Sequence, residues 1–179
     1  MKGMLPRRIF KSTLTSKTEV KDLLSGLFIA ELLAPSNQLW IVSPWLSDIT
    51  IVDNSTGTFW GLEIDWPRRP IRLQEILGRL LTLGTTIVVA TRPLNHNESF
   101  IFGLREEAIF SGLESQLVIH FREVLHIKGI LGDHYYLDGS MNFTRSGVEI
   151  LEEGINFDIN PETVAQAQLA FQENYRGSQ

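Results

Sequence analysis

The chain has 179 residues, 43% of them hydrophobic and 21% charged, a net charge of −5 and no cysteine. That is the composition of a globular protein with chain enough for one substantial core. It excludes disulfides and cysteine-bound metals, fits a reducing compartment, and makes non-specific DNA binding a poor starting assumption, since phosphate neutralisation dominates such affinity. No run reaches the roughly 18 apolar residues of a membrane span. The longest, residues 23–35, is interrupted by Ser25, Gly26 and Glu31. The basic N-terminus lacks the apolar block of a signal peptide, so a cytoplasmic location is expected. Charge is uneven: residues 1–22 carry six Lys/Arg against Glu19 and Asp22, whereas residues 149–179 carry six Asp/Glu against Arg176.

Residues 1–17 show no period and read as an arm or short strand anchored by Ile9 and Phe10. Thr18 reads as an N-cap, and Val20, Leu23, Leu24, Leu27, Phe28 and Leu32 keep helical spacing until Pro35 stops it. Residues 38–43 are a short apolar run, read as a buried strand that ends at Ser43-Pro44-Trp45. Residues 46–70 are irregular, and loops of that length are uncommon unless functional or disordered. Trp60, Trp66, Arg68 and Arg69 are of the types that stack on bases and bind phosphate. A substrate-side loop therefore stands beside the plainer reading, in which the aromatic residues pack beneath it.

Helical spacing returns over residues 71–83, with Gly84 placed to end the helix, and the uncharged, β-branched run 85–90 reads as a strand buried on both faces. Residues 91–97 form a loop beyond that strand, where open α/β sheets bind ligands. His96 there reads either as a site residue or as a solvated one. Residues 98–110 are helical, 117–121 and 154–159 are strands, and Pro161 opens a last helix that runs to Tyr175. Strands alternating with helices predict an α/β fold with a sheet covered on both faces. No repeat or linker divides the chain, so residues 1–179 read as one domain with 1–17 as its arm.

The densest chemistry lies in the last third: His126-Ile127-Lys128, then Asp133, then Gly139-Ser140-Met141-Asn142. Residues 125–131 read as a strand, on which alternate residues share a face, so His126 and Lys128 project together. Ser140 and Asn142 do the same if that tripeptide is extended, and Gly139 lets backbone approach closely. An imidazole, an ammonium, a hydroxyl and a carboxamide aimed at one point suit a phosphate: charge, hydrogen bonds, and a group that attacks or carries protons. The plain alternative, a surface His and Lys followed by a Gly-Ser turn, leaves the joint spacing unexplained.

This pattern resembles the HKD motif of the phospholipase D superfamily, and Phe143-Thr144 and Glu153 resemble it further. The interval from Asp133 to Ser140 is one residue shorter than in many members. Ser43-Pro44-Trp45 is similar to the end of the first strand of such domains, near their active site; Trp45 reads equally as core. The resemblance is strongest over the last third, and its order of elements extends from Thr18 to the end. It implies a phospholipase D-like fold with a mixed β-sheet flanked by helices on both faces.

The fold of that superfamily sets two motif copies face to face, and this chain has one, since His96, His120 and His134 lack a Lys two residues later. The resemblance therefore implies a homodimer sharing one site across a two-fold axis. By the same resemblance, one His126 is expected to attack phosphorus, and the partner subunit's His126 to protonate the leaving oxygen and then deprotonate water. Lys128 and Asn142 hold the equatorial oxygens, Ser140 bonds an oxygen or the Asn, and Glu153 matches the acid that orients the His. Asp133 faces away from His126 on an ideal strand and reads as a supporting residue or as the start of a hairpin.

No cofactor and no metal are implied. Superfamily members cut phospholipids, DNA or RNA; the short single-motif members compared first are nucleases, some accompanying bacterial DNA modification or restriction genes. The leading expectation is a metal-independent nuclease with DNA ahead of RNA as partner, in a defence or DNA-processing setting with partner proteins of that system. Trp45, Arg68 and Arg69 are the substrate-side candidates. A hydrolase of phospholipids or small phosphodiesters, and a non-catalytic nucleic-acid-binding subunit, stand as the alternatives.

Overall fold

The structure, a computed structural model, describes residues 6–11, 17–59 and 66–175. In chain order the elements are β1 (Arg7–Lys11), α1 (Lys17–Leu33), β2 (Gln38–Val42), β3 (Thr50–Asp53), β4 (Pro70–Arg72), α2 (Leu73–Thr82), β5 (Thr86–Thr91), α3 (Asn95–Phe110), β6 (Leu117–Phe121), β7 (Gly129–Leu131), β8 (Tyr136–Gly139), α4 (Arg145–Glu149), β9 (Glu153–Asp158) and α5 (Pro161–Tyr175).

Seven strands form one mixed sheet in the order β1-β9-β8-β7-β2-β5-β6. β2, β5 and β6 are parallel, while β7, β8, β9 and β1 alternate antiparallel outward from β2. As a result β1, β8, β2, β5 and β6 all end, and β7 and β9 both begin, along one edge. Alternation along the strands sorts the core into two halves. On one face Leu39, Ile41, Ile87, Val89, Ile130, Leu137 and Ile155 pack against Val20, Leu24 and Phe28 of α1, Ile76 and Leu80 of α2, and Phe100 and Leu104 of α3. On the other, Trp40, Val42, Val88, Ala90 and Leu131 meet Val164, Ala167, Phe171 and Tyr175 of α5. Phe171 stands edge-on to both Trp40 (5.9 Å) and Tyr136 (5.7 Å), the orientation that ring quadrupoles favour. Helices therefore cover both faces, as the sequence predicts.

Several local readings change. The strand expected over 125–131 is only Gly129–Leu131, because pairing with β2 stops at Val42–Gly129. Residues 122–128 instead run along the edge from β6 to β7, crossing the ends of β5 and β2. Ile9 is buried as expected, but Phe10 is 78% exposed: neighbours on a strand face opposite ways. The expected loop 91–97 is shorter, since α3 starts at Asn95 and places His96 in its first turn. The irregular 46–70 stretch contains β3, paired with β4 in a separate two-stranded sheet. Trp60 lies outside the described residues, and Trp66 packs partly buried against the core. Helix α4 went unread; it is one short turn whose N-cap, Thr144, accepts a hydrogen bond from Gly147 N at 3.1 Å.

Candidate active site

The shared edge is where the motif residues gather. β8 ends at Gly139, whose φ of +147° and whose surroundings both demand glycine: a Cβ there would stand 2.0 Å from the Gly154 carbonyl oxygen. The next residue is locked to β9 in both directions, with Ser140 N donating to Gly154 O (3.0 Å) and Gly154 N donating to Ser140 Oγ (3.0 Å). Ser140 Oγ in turn donates to the Glu153 carboxylate. Past it the chain stays extended: Met141 and Phe143 are buried, while Ser140 and Asn142 face the other way and are at least partly exposed. The Asn142 carboxamide sits 3.3 Å from Ser43 Oγ at the end of β2, and that hydroxyl donates to Trp45 O at 2.8 Å. Phe143 bridges to Leu46, and its carbonyl accepts from Ser47 N at 2.9 Å. The loop after β8 is thus sewn to the end of β2.

His126 and Lys128 lie on the extended segment leading into β7. Gly129 pairs with both Val42 and Asp138, so Lys128 is one step beyond the ladder, level with Gly139 and next to Ser140. Its ammonium donates to its neighbour's carbonyl, His126 O, at 2.6 Å, and the His126 side chain is exposed. Glu153 begins β9 at this edge, and Trp45 lies just past β2. The structure therefore brings His126, Lys128, Ser140, Asn142, Glu153 and Trp45 to one edge.

It places the other candidates elsewhere. Asp133 sits at the far end of β7, where Oδ2 accepts from the main-chain N (2.8 Å) and Nδ2 (2.7 Å) of Asn37. Arg69 forks onto Glu75 with contacts of 2.9 and 2.8 Å, and the Arg68 side chain packs beside Gly57. That hydrogen bond from Arg69 holds the Glu75 carboxyl below its usual range, against the burial that would raise it. Both arginines belong to the β4–α2 corner.

One residue that the sequence reading passed over is Lys11. It ends β1 opposite Glu153, is only 3% exposed, and donates from Nζ to Gly147 O at 2.6 Å. A buried ammonium needs such partners. The available signal was parity, since Ile9 as an anchor puts Lys11 on the same inward face. Gly147 matters as well, because a Cβ there would lie 2.2 Å from Asn142 O, so glycine lets α4 close against the loop that carries Asn142. Ser43, whose hydroxyl lies 3.3 Å from the Asn142 carboxamide, is placed near the site by the resemblance of its strand end, but with no partner assigned.

Among the described residues no three His, Asp or Glu side chains are grouped to hold a metal ion, and no helix is long and apolar enough to cross a membrane. The site's resources are one imidazole, one ammonium, the Glu153 carboxylate and neutral hydrogen-bonding groups, a set that suits a phosphate-like anion.

No known family profile matches the sequence, and no curated protein matches it either. Solved structures do match. NucT from Helicobacter pylori aligns over 94% of this chain and 95% of its own, with a TM-score of 0.59 and 10% identity. Nuc from Salmonella typhimurium, a phospholipase D family member, aligns over 94% and 93%, with a TM-score of 0.59 and 11% identity. Phosphatidylserine synthase from Haemophilus influenzae Rd KW20 aligns over 94% of this chain and 38% of its own, with a TM-score of 0.58 and 18% identity. The chain has a phospholipase D-like fold.

Proposed function

We propose that this chain is a metal-independent phosphodiesterase, a nuclease acting on DNA ahead of RNA, whose site is completed by a second copy of the chain. The observation that carries this reading is the arrival of His126, Lys128, Ser140, Asn142 and Glu153 at one sheet edge, from three different strands. Cleavage needs a nucleophile in line with a protonated leaving group, and one imidazole cannot stand on both sides of phosphorus. Two chains supply two. A ring nitrogen of one His126 attacks, the phosphorus–oxygen bond breaks, and the leaving oxygen takes a proton from the partner subunit's His126. That ring then removes a proton from water, the hydroxide attacks the phosphohistidine, and the phosphorus–nitrogen bond breaks. Lys128, released from the His126 carbonyl, turns its ammonium to the phosphate together with Asn142. Glu153 orients His126 and is itself held by Ser140.

Apolar side chains around this edge support a subunit contact there: Phe121, Val124, Ile127 and Trp45 are all exposed, Val124 to 84%. In this reading Asp133 keeps the strand in place, and Trp45 rather than Arg68 or Arg69 lies beside the substrate. A role in DNA modification or defence, with partner proteins of such a system, is the setting in which we place it. The test is cleavage of single- and double-stranded DNA, RNA and phospholipid vesicles in EDTA, with sedimentation of the same sample. We expect DNA cleavage by a dimer. Full activity by a monomer, or loss in EDTA that one divalent ion restores, overturns the reading.

A further inference from the structure

A cleft of about 560 Å³ opens beside the catalytic edge and uses none of the groups assigned above. That volume falls within the roughly 300–1,000 Å³ of ordinary ligand sites. Its walls are the segment after β2, the first turn of α3, Arg72 and helix α4. It is joined to the catalytic loop by main chain. Phe143 O accepts from Ser47 N (2.9 Å), so the short stretch from Asn142 to Arg145 is pinned to one wall of the cleft, with Arg145 in its lining. A strand with one phosphate against Lys128 and Asn142 would pass into this cleft with its next unit.

The lining says what that unit is. Ser47 Oγ and His96 Nε2 lie 3.0 Å apart at the mouth and hold each other in place. Arg145, with 84% of its side chain exposed, pairs with Glu149 at 3.0 Å across one helical turn. Such an exposed pair in water is exchanged readily for another anion. Opposite it, Arg72 is braced by Asp48 at 2.6 Å, and Asp48 also accepts from Gln74 N at 2.9 Å. Two guanidiniums, two carboxylates, an imidazole and the hydroxyls of Ser47 and Ser99 offer donors and acceptors side by side. A nucleoside matches that mixture, with an aromatic face for arginine to stack on and polar edges for the rest. An acyl chain does not, because it would strip water from these groups without replacing their hydrogen bonds.

We infer that this cleft binds the nucleotide next to the scissile phosphate of a polynucleotide, with Arg145 on its phosphate and the Ser47–His96 pair on its base or sugar. The inference rests on the nuclease reading above and deepens it, from cleavage at one phosphate to a subsite for the neighbouring nucleotide.

The test uses His96→Ala and Arg145→Ala, both at exposed positions where folding tolerates truncation. For each, kcat/KM is measured on a short single-stranded oligonucleotide and on bis(4-nitrophenyl) phosphate, which has no neighbouring nucleotide. The ratio of the two should fall about 10-fold, the loss expected for a charge-assisted contact. Binding is measured separately, by anisotropy of a labelled oligonucleotide on His126→Ala protein with and without each second substitution. There Kd should rise by a similar factor, and Arg145→Ala should cut the slope of log Kd against log salt by about 0.7. Because the His126→Ala background needs no turnover, a failed catalytic reading leaves this measurement standing. An unchanged ratio together with an unchanged Kd overturns the inference. So does a loss of phospholipid-vesicle hydrolysis with oligonucleotide cleavage intact, which would assign the cleft to lipid.

Discussion

The two ends of β7 differ sharply although one motif spans both. At the end that leads in from His126, the imidazole is exposed and the Lys128 ammonium rests on its neighbour's carbonyl. At the other end a polar knot is tied. Buried Glu31 accepts from Ser36 N (3.0 Å) and Ser36 Oγ (2.7 Å), and Ser36 Oγ accepts from Asp133 N (3.0 Å). Asp133 then grips Asn37 twice, and Thr85 Oγ1 donates to Ser36 O at 2.8 Å. Burial first, and then the Glu31 charge, pushes the Tyr135 phenol beside this knot well above its ordinary pKa. Groups so thoroughly bonded hold geometry, whereas groups so lightly held are available to a ligand. Under the proposed mechanism, His126 and Lys128 would carry the chemistry, while Asp133 holds the strand through its bonds to Asn37.

The largest expected effect breaks only the first end. His126→Ala should abolish turnover, with acid–base loss alone worth about 10²–10⁴-fold, and leave the thermal midpoint near wild type. Mixed dimers of wild type and His126→Ala sharpen this: a single imidazole should give almost no cleavage on an ordinary leaving group but some first-step turnover on an activated one. Half of wild-type activity would mean that each chain works alone. Lys128→Ala should come next, cutting kcat severely while urea midpoints hold.

Asp133→Ala should do the reverse. Losing these two exposed bonds to Asn37 should lower unfolding free energy by about 0.5–1.5 kcal/mol in urea melts, with activity per folded molecule retained. Gly132→Ala attacks the same knot by overpacking, since a Cβ would lie 2.7 Å from both Ser36 Oγ and the Tyr135 ring. We expect a loss of about 1–3 kcal/mol in the same assay.

The smallest effect belongs to a third place, the β4–α2 corner. Glu75 titrates lower in the folded protein than in the unfolded chain, so its pair with Arg69 stabilises fully above the unfolded pKa. That contribution fades as pH falls through the lowered value. Glu75→Gln should therefore cost less than about 1 kcal/mol at neutral pH and flatten that stretch of the acid limb, as read by melts from pH 7 to 3.

Much of the framework was legible because it is periodic. The helix over Val20–Leu32, the uncharged strand ending at Ala90, and the positive-φ Gly84 after α2 all follow from local spacing. The motif's outward pairs were legible for the same reason, as buried Met141 and Phe143 confirm for Ser140 and Asn142. What escaped depends on partners distant in sequence. Residues 125–128 have strand-like composition but no strand to pair with. Ser43 earns its place through Asn142, 99 residues away, and Lys11 through Gly147, 136 residues away. No window along the chain contains those contacts.

The pairing of β1 with β9 has a consequence for how the protein comes into being. Ile9 leaves the ribosome about 146 residues before its partner, Ile155. At about 5–20 residues per second, β1 waits on the order of ten seconds for the strand that receives it. The parallel heart of the sheet can form meanwhile, but Glu153 and Lys11 cannot meet until β9 has emerged. A chain stalled before β9 would carry His126 and Lys128 without the strand that fixes Ser140, so on the proposed mechanism a nascent fragment would stay disarmed until β9 arrives.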